Sequence, residues 1–270
     1  MKLPIGIPAI ASYSKLLKTD LFGKIESYSN SFIQNNKLVL TRYSRKWTTD
    51  PLHQWSRQWE YPFVYSQIQH TKERKNILDA GSGITFLPYL IAKTYAHTNV
   101  TCCDSDSTLK SMYNAIDAEG NVRVKFVEAS IDHMQFADNY FDIIYCISVI
   151  EHTKNIPAII REFRRILKPK GKLILTFDVS LDGTSEIPIE EAEELLDDIH
   201  QTFQRVKIDR AAFKSSNLNR SVTTDYIAKY NRQLLPWRYP ILNIIRELMH
   251  FRLRLSLYPK LTFCCIMATK

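Results

Sequence analysis

The sequence predicts an α/β fold, a doubly wound, mostly parallel sheet with helices on both faces. Three observations carry this. From residue 76 onward, short apolar segments alternate with helical ones. The joints are short and rich in Gly and Pro, as in Lys168-Pro169-Lys170-Gly171. Finally, the apolar pair Ile77-Leu78 runs through Asp79 into Gly81-Ser82-Gly83 and then into an apolar run from Phe86. Alternation of this kind is the signature of a parallel sheet covered on both sides.

The elements follow in order. Asn76–Ala80 reads as the first strand and Phe86–Tyr95 as the first helix of the core. Asn99–Asp104 is a second strand, Ser107–Ala118 a helix and Val122–Glu128 a third strand. Phe141–Ser148 is a fourth strand. Ile156–Leu167 is an amphipathic helix stopped by the 168–171 tetrad, and Lys172–Asp178 is a fifth strand. Glu190–Phe203 is an acidic helix, Arg205–Ala212 a sixth strand and Leu261–Thr269 the last. Residues 1–70 read as an N-terminal helical cap or lid, and 71–270 as the core. Within that core, 215–258 forms a basic insertion.

Composition narrows the class. The chain has 270 residues, 45% hydrophobic and 24% charged, enough for one large domain with decorations. No run reaches eighteen uninterrupted apolar residues, so a spanning helix is not expected. Met1–Ile10 lacks the apolar core of a signal peptide. The five cysteines, Cys102, Cys103, Cys146, Cys264 and Cys265, lack metal-ligand spacing and sit in strand-like runs. Reduced buried thiols and a cytoplasmic location are therefore expected, with no metal. The net charge of +8 is concentrated: residues 205–260 hold 12 Lys and Arg against 3 Asp and Glu. Such a segment is either a solvated face or an attractor of phosphates, anionic substrates or an anionic membrane surface.

The glycine turn at 81–83 lets a ligand approach the main chain closely. A carboxylate at the end of the second strand would then accept hydrogen bonds from ribose hydroxyls. Asp104, 21 residues beyond Gly83, stands there, with capping of the next helix as its alternative role.

Five motifs now stand in order: Ile77-Leu-Asp-Ala-Gly-Ser-Gly83; Asp104; Phe136-Ala-Asp-Asn-Tyr-Phe-Asp-Ile-Ile-Tyr145; Ser148-Val-Ile-Glu-His152; and Leu167-Lys-Pro-Lys-Gly-Lys-Leu-Ile-Leu175. Over residues 75–180 this resembles the class I S-adenosylmethionine (SAM)-dependent methyltransferases of the type 11 group. The resemblance implies a Rossmann-like sheet of seven strands, the last antiparallel and inserted between the fifth and sixth. It also implies that Asp79, Gly81 and Gly83 surround the methionine part of SAM and that Asp104 holds the ribose. Ser130 and Ile131 would flank the adenine, with Asp132 as an alternative to Ser130. Thr85 replaces a third glycine, and Ser130 replaces an acidic residue common in relatives. A dinucleotide dehydrogenase would keep Gly-x-Gly-x-x-Gly, which this chain lacks at Phe86.

The methyl group is expected near Ser148–His152, with Ser148 in the cofactor site. His152 is the candidate general base, against a role merely lining the pocket; His133 is a second histidine to weigh. A sulfonium-bound methyl is already activated, so a missing catalytic dyad does not exclude an enzyme. Trp55, Trp59 and Tyr61 are candidate lid residues facing the sulfonium, or else packing between cap and sheet. In the insertion, apolar positions 241, 244, 245, 248 and 251 share a helical face flanked by Arg246, Arg252 and Arg254. This suits a packed helix, a lid over an anionic substrate, or a helix in peripheral membrane contact for a lipid-linked one. Nucleic-acid module signatures are absent, leaving RNA the least supported partner. The acceptor is read as a small molecule, with an anionic compound or a sugar or glycan precursor as the candidate classes. Two classes remain open: an active methyltransferase, or a SAM-binding protein without turnover that acts as a binding partner.

Overall fold

In the computed structural model, residues 2–43, 48–68, 74–95, 97–120, 122–207, 213–237 and 258–270 are described. The core begins at β1 (Lys75–Ala80), buried from Ile77 onward because strands lie on both sides of it. On one side runs β2 (Thr98–Asp104), followed by β3 (Lys125–Glu128). On the other run β4 (Phe141–Ile147) and β5 (Leu167–Ser180). A two-residue β6 (Ile187–Pro188) joins the far end of β5, and β7 (Arg205–Lys207) and β8 (Leu261–Thr269) complete the sheet. The order is β3-β2-β1-β4-β5-β8-β7. β8 is antiparallel to both β5 and β7; the other pairs are parallel. Strand order reverses between β1 and β4, which opens a crevice beyond their carboxyl ends.

Several limits differ from the sequence reading. β5 begins at Leu167, because Leu167 already pairs with Phe141 and a bulge carries the chain on to the Ile143–Lys172 pair. The tetrad 168–171 still ends the preceding helix, and Lys170 takes a left-handed φ of 66°. β3 starts at Lys125, three residues late. The sixth strand is described only for Arg205–Lys207; 208–212 lie outside the described residues, as do 238–257 of the basic insertion.

The helices before the sheet are α1 (Ile10–Leu16), α2 (Asp20–Asn35), α3 (Lys37–Tyr43) and α4 (Arg57–Gln67). Those after β1 and β2 are α5 (Leu87–Thr94) and α6 (Leu109–Glu119), and those flanking β5 are α7 (Ile156–Ile166) and α8 (Ile189–Thr202). Two short helices, α9 (Ser215–Leu218) and α10 (Thr224–Tyr230), precede β8. The caps explain their starts. Thr19 accepts from the Phe22 N–H at 3.3 Å, and Asn155 accepts from Ala158 at 3.2 Å. In α7, Ile156, Ile159, Ile160, Phe163 and Ile166 make one stripe, and the last four are buried.

Strand alternation splits the interior in two. Ile77, Cys102, Tyr145, Ile174 and Cys265 face one side, packed with α1–α6. Leu78, Cys103, Cys146, Leu175 and Cys264 face the other, packed with α7 and α8. Each vicinal cysteine pair therefore divides between the two cores. All five thiols are free and buried, and burial pushes those of Cys103 and Cys264 up to about 12.

Among the described residues before 69, every buried apolar side chain other than proline belongs to the first core. Trp59 is fully buried, and Trp55 meets Phe263 of β8 edge-on, with ring centres 5.3 Å apart. Trp55 and Trp59 pack in the core rather than forming a lid. The chain start is also stitched in: Gly6 exchanges two backbone hydrogen bonds with Cys265, at 2.7 and 3.1 Å. Among the described residues no helix is long and apolar enough to cross a membrane. Replacing Trp59 by Ala should cost about 3–5 kcal/mol, read as a lowered urea midpoint with the slope unchanged; a loss under about 1 kcal/mol would contradict the packing role.

Candidate functional site

The turn leaving β1 is shaped by two left-handed glycines, Gly81 at φ 73° and Gly83 at φ 50°. Space is as limiting as conformation. A Cβ on Gly81 would lie 2.5 Å from Val149 Cγ1, beyond β4, and one on Gly83 would lie 2.5 Å from Tyr43 Oη, at the end of α3. Side chains at these positions would drive the turn away from its neighbours. Tyr43 also accepts from the Ile84 N–H at 3.2 Å, and burial pushes its hydroxyl up to about 12. Tyr113, from α6, donates to the Gly83 carbonyl at 2.8 Å and locks the turn from beneath.

Asp104 closes β2 beside this turn. Its Oδ2 accepts from Gly83 N–H at 2.9 Å and its Oδ1 from Asp106 N–H at 3.0 Å. It does not cap α6, whose first turn starts from Thr108. Each carboxylate oxygen has two acceptor sites, so two remain beyond these amides. Asp79 sits at the end of β1, buried, with Oδ2 accepting from Tyr145 at 3.0 Å. Burial pushes the Asp79 carboxyl up to about 8; the Tyr145 bond opposes this, while the Asp104 charge adds to it.

The other expected residues fall around the same rim. Ser130 is exposed in the turn after β3, where its carbonyl accepts from His133 N–H at 3.2 Å, and Ile131 beside it is buried. Asp132 and His133 are exposed. Ser148 directly follows β4 with an unusual left-handed φ of 45°. Its Oγ donates to Glu60 Oε1 at 2.8 Å and accepts from Arg57. Arg57 also pairs with the fully buried Glu60, so α4 is clasped onto the end of β4. Burial alone would lower the Arg57 guanidinium; Glu60, with Tyr61, Asp178 and Glu151 nearby, holds it above its ordinary value. Tyr61 stacks edge-on against Phe86, 5.1 Å between ring centres, and is buried.

The Glu151-His152 pair divides. The His152 side chain is 57% exposed, its Nδ1 3.3 Å from Glu186. Glu151 instead reaches the interior, where its Oε1 accepts from Asp178 N–H at 3.1 Å. Glu151 Oε2 and Asp178 Oδ1 are closed from solvent and have no hydrogen-bond partner. Burial raises the proton affinity of both carboxyls; the Glu151 charge adds to it at Asp178, and the Glu60 charge adds to it at Glu151.

Sequence reasoning overlooked Arg57, Glu60, Tyr43 and Asp178. The signal for two of them was present: Arg57 and Glu60 stand three apart inside Trp55-Ser-Arg-Gln-Trp-Glu-Tyr-Pro-Phe63. Charges inside an aromatic helical face are buried and must find partners. Among the described residues no group of three or more His, Cys, Asp or Glu is arranged to hold a metal ion. A cleft of about 840 Å³ lies elsewhere, between α2 and the carboxyl ends of α5 and α6. Those helices run back from the strand ends, which places this cleft at the opposite edge of the sheet from the glycine turn.

The turn fits an adenosyl ligand: two positions exclude a Cβ, and a carboxylate stands alongside. Residues 78–175 match the family model described as "Methyltransferase domain". Phosphoethanolamine N-methyltransferase 1 of Triticum aestivum is 33% identical over 115 residues, 42% of this chain and 22% of that protein. A sterol 24-C-methyltransferase of Aspergillus fumigatus is 26% identical over 176 residues, 63% of this chain and 46% of its own length. The chain thus spans less than half the length of these curated relatives. Geranyl diphosphate C-methyltransferase from Streptomyces coelicolor A3(2), solved with Mg²⁺, geranyl diphosphate and S-adenosyl-L-homocysteine, superposes with a TM-score of 0.55 at 11% identity. The match covers 77% of each chain and bears on the fold. The matched domain, the fold and the ordered motifs make the central part of this chain, residues 78–175, similar to the class I SAM-dependent methyltransferases.

Proposed function

We propose that the chain transfers a methyl group from SAM to a small-molecule acceptor. The observation that carries the reading is the convergence of Gly81, Gly83 and Asp104 at the switch point between β1 and β4. When bound, SAM supplies a methyl group already activated on a sulfonium. The chain then has four tasks. Asp104 accepts the ribose hydroxyls on its two remaining acceptor sites. Asp79 and the 81–83 turn, whose glycines let a ligand approach the main chain closely, border the methionine end. Ser130 and Ile131 border the adenine. Finally, Tyr43 and the α4 clasp cover the turn, excluding water and orienting the acceptor.

The proton duty assigned to His152 fits Glu151 better. The imidazole is mostly exposed and pairs with Glu186, whereas the Glu151 carboxyl lies inside with one oxygen free. The acceptors named for the relatives are small: phosphoethanolamine, a sterol and geranyl diphosphate. Two of these are phosphorylated. The basic segment supports an acceptor with an anionic part, since Arg220, Lys229 and Arg232 are exposed on it. Its arginines at 238, 246, 252 and 254 lie outside the described residues.

Titration calorimetry should detect SAM binding and no NAD binding. Asp104→Ala should weaken SAM at least roughly tenfold, the scale of losing one or two charge-assisted hydrogen bonds. Unchanged affinity in that variant would refute the ribose role.

Asp79 makes a pH test. Its carboxyl titrates near 8, so at pH 7 the free protein holds it mostly protonated. A cationic methionine end favours the ionised form. SAM affinity should therefore rise from pH 5.5 to 7.5 with proton release, measured as a dependence of binding heat on buffer ionisation enthalpy. Asp79→Asn should abolish the release; if release persists unchanged, Asp79 does not face the ligand.

A further inference from the structure

Resting on the SAM reading above, we propose that Glu151 and Asp178 form the acceptor subsite and receive an ammonium group, so that the chain methylates the nitrogen of an amine.

The charges favour this acceptor. Arg57 and Glu60 neutralise each other within the clasp that also takes Ser148. That leaves Glu151, just past β4, and Asp178, on β5, as the unbalanced pair. Each presents one solvent-excluded oxygen without a donor. A buried acceptor atom left unpaired costs about 1–3 kcal/mol, more when charged. Two such atoms on neighbouring carboxyls at the sheet's ligand-binding edge call for a group rich in N–H or O–H donors. An anionic reacting group would meet like charge there and is disfavoured.

Proton affinity separates amine from alcohol. Burial keeps the proton on both carboxyls, and the Glu151 charge adds to this at Asp178 as the Glu60 charge does at Glu151, so the pair holds its proton more tightly than an ordinary carboxylate. Transfer is efficient when base and donor have comparable affinities. An alkylammonium, near 10 by analogy with lysine, is far closer to such a pair than a neutral hydroxyl. The groups facing the pair are Arg57 and Glu60 from α4, Cys146 on β4, Cys265 on β8, and Glu186 with His152 at the rim. Of these only Arg57 is a buried cation, and it is already paired with Glu60.

The step balances as follows. The ammonium gives one proton to Glu151, which returns it to solvent when the site opens to release the product. The freed nitrogen pair bonds to the methyl carbon as the carbon–sulfur bond breaks. That bond's electrons stay on sulfur, leaving a neutral thioether, and the positive charge moves to the methylated nitrogen.

The test uses the whole chain saturated with S-adenosylhomocysteine and three probes of one carbon skeleton: n-butylammonium, 1-butanol and butyrate. Calorimetry should detect n-butylammonium binding at least about tenfold tighter than either analogue. Glu151→Gln and Asp178→Asn should each weaken it by about tenfold or more, while S-adenosylhomocysteine affinity changes less than about threefold. Butylamine methylation by the unmodified chain should rise with pH as the pair ionises, and Glu151→Gln should flatten that rise. The proposal is overturned if 1-butanol or butyrate binds as tightly as the ammonium, if no ammonium binds, or if both variants lose S-adenosylhomocysteine in parallel. Failure of the unmodified chain to bind S-adenosylhomocysteine at all would instead overturn the SAM reading beneath it.

Discussion

The tight approach of the β1 turn to its neighbours governs the rest of this structure. Gly81 abuts Val149 beyond β4, Gly83 abuts Tyr43 at the end of α3, and the Gly83 amide is bound by Asp104 from β2. Four separate segments thus meet at one point, and none can shift alone. Strand pairing makes the point reproducible, because β1 is registered against both β2 and β4. A carboxylate from β2 therefore stands within reach of a turn from β1 by virtue of the sheet rather than of any flexible loop. The same packing explains why two backbone positions there accept only glycine.

Around this point the interior is unusually polar. Asp79, Glu60, Arg57, Ser148, Glu151 and Asp178 cluster at the carboxyl ends of β1, β4 and β5, with large aromatic and aliphatic cores on either side. Burying charge is costly, and a paired buried charge contributes little net stability compared with an apolar replacement. Ser148 adds a backbone conformation that non-glycine residues rarely adopt. Concentrated polar burial and backbone strain at the ligand-binding edge of a sheet are features of a site. The cysteines mark the contrast: they are buried, unperturbed by partners of opposite charge, and divided two and three over the two cores by strand alternation.

Much of this was legible in the sequence because it depends on local pattern. The strand-glycine-helix signal, the spacing to Asp104, and the amphipathic stripe of α7 each depend on a few consecutive residues. The antiparallel last strand followed from the resemblance, and β8 lies between β5 and β7 as that implied. What stayed hidden depends on the tertiary meeting of distant segments. Nothing local to Arg57 or Glu60 indicates that Ser148, about ninety residues on, completes their clasp. The opposite fates of Glu151 and His152 are likewise a matter of how one short turn rotates. Trp55 and Trp59 invited a lid reading because aromatic residues serve both lids and cores; their contacts with the sheet decide for the core. The start of β5 at Leu167 was obscured by Pro169 and Gly171, which a bulge accommodates.

The most direct test of the central claim is a crystal structure with S-adenosylhomocysteine soaked in. Ribose density on the Asp104 carboxylate, with the thioether lying over the 81–83 turn and directed toward Ser148, is the result expected here. Nucleoside density seated away from Asp104, in the cleft between α2, α5 and α6 for instance, would contradict it.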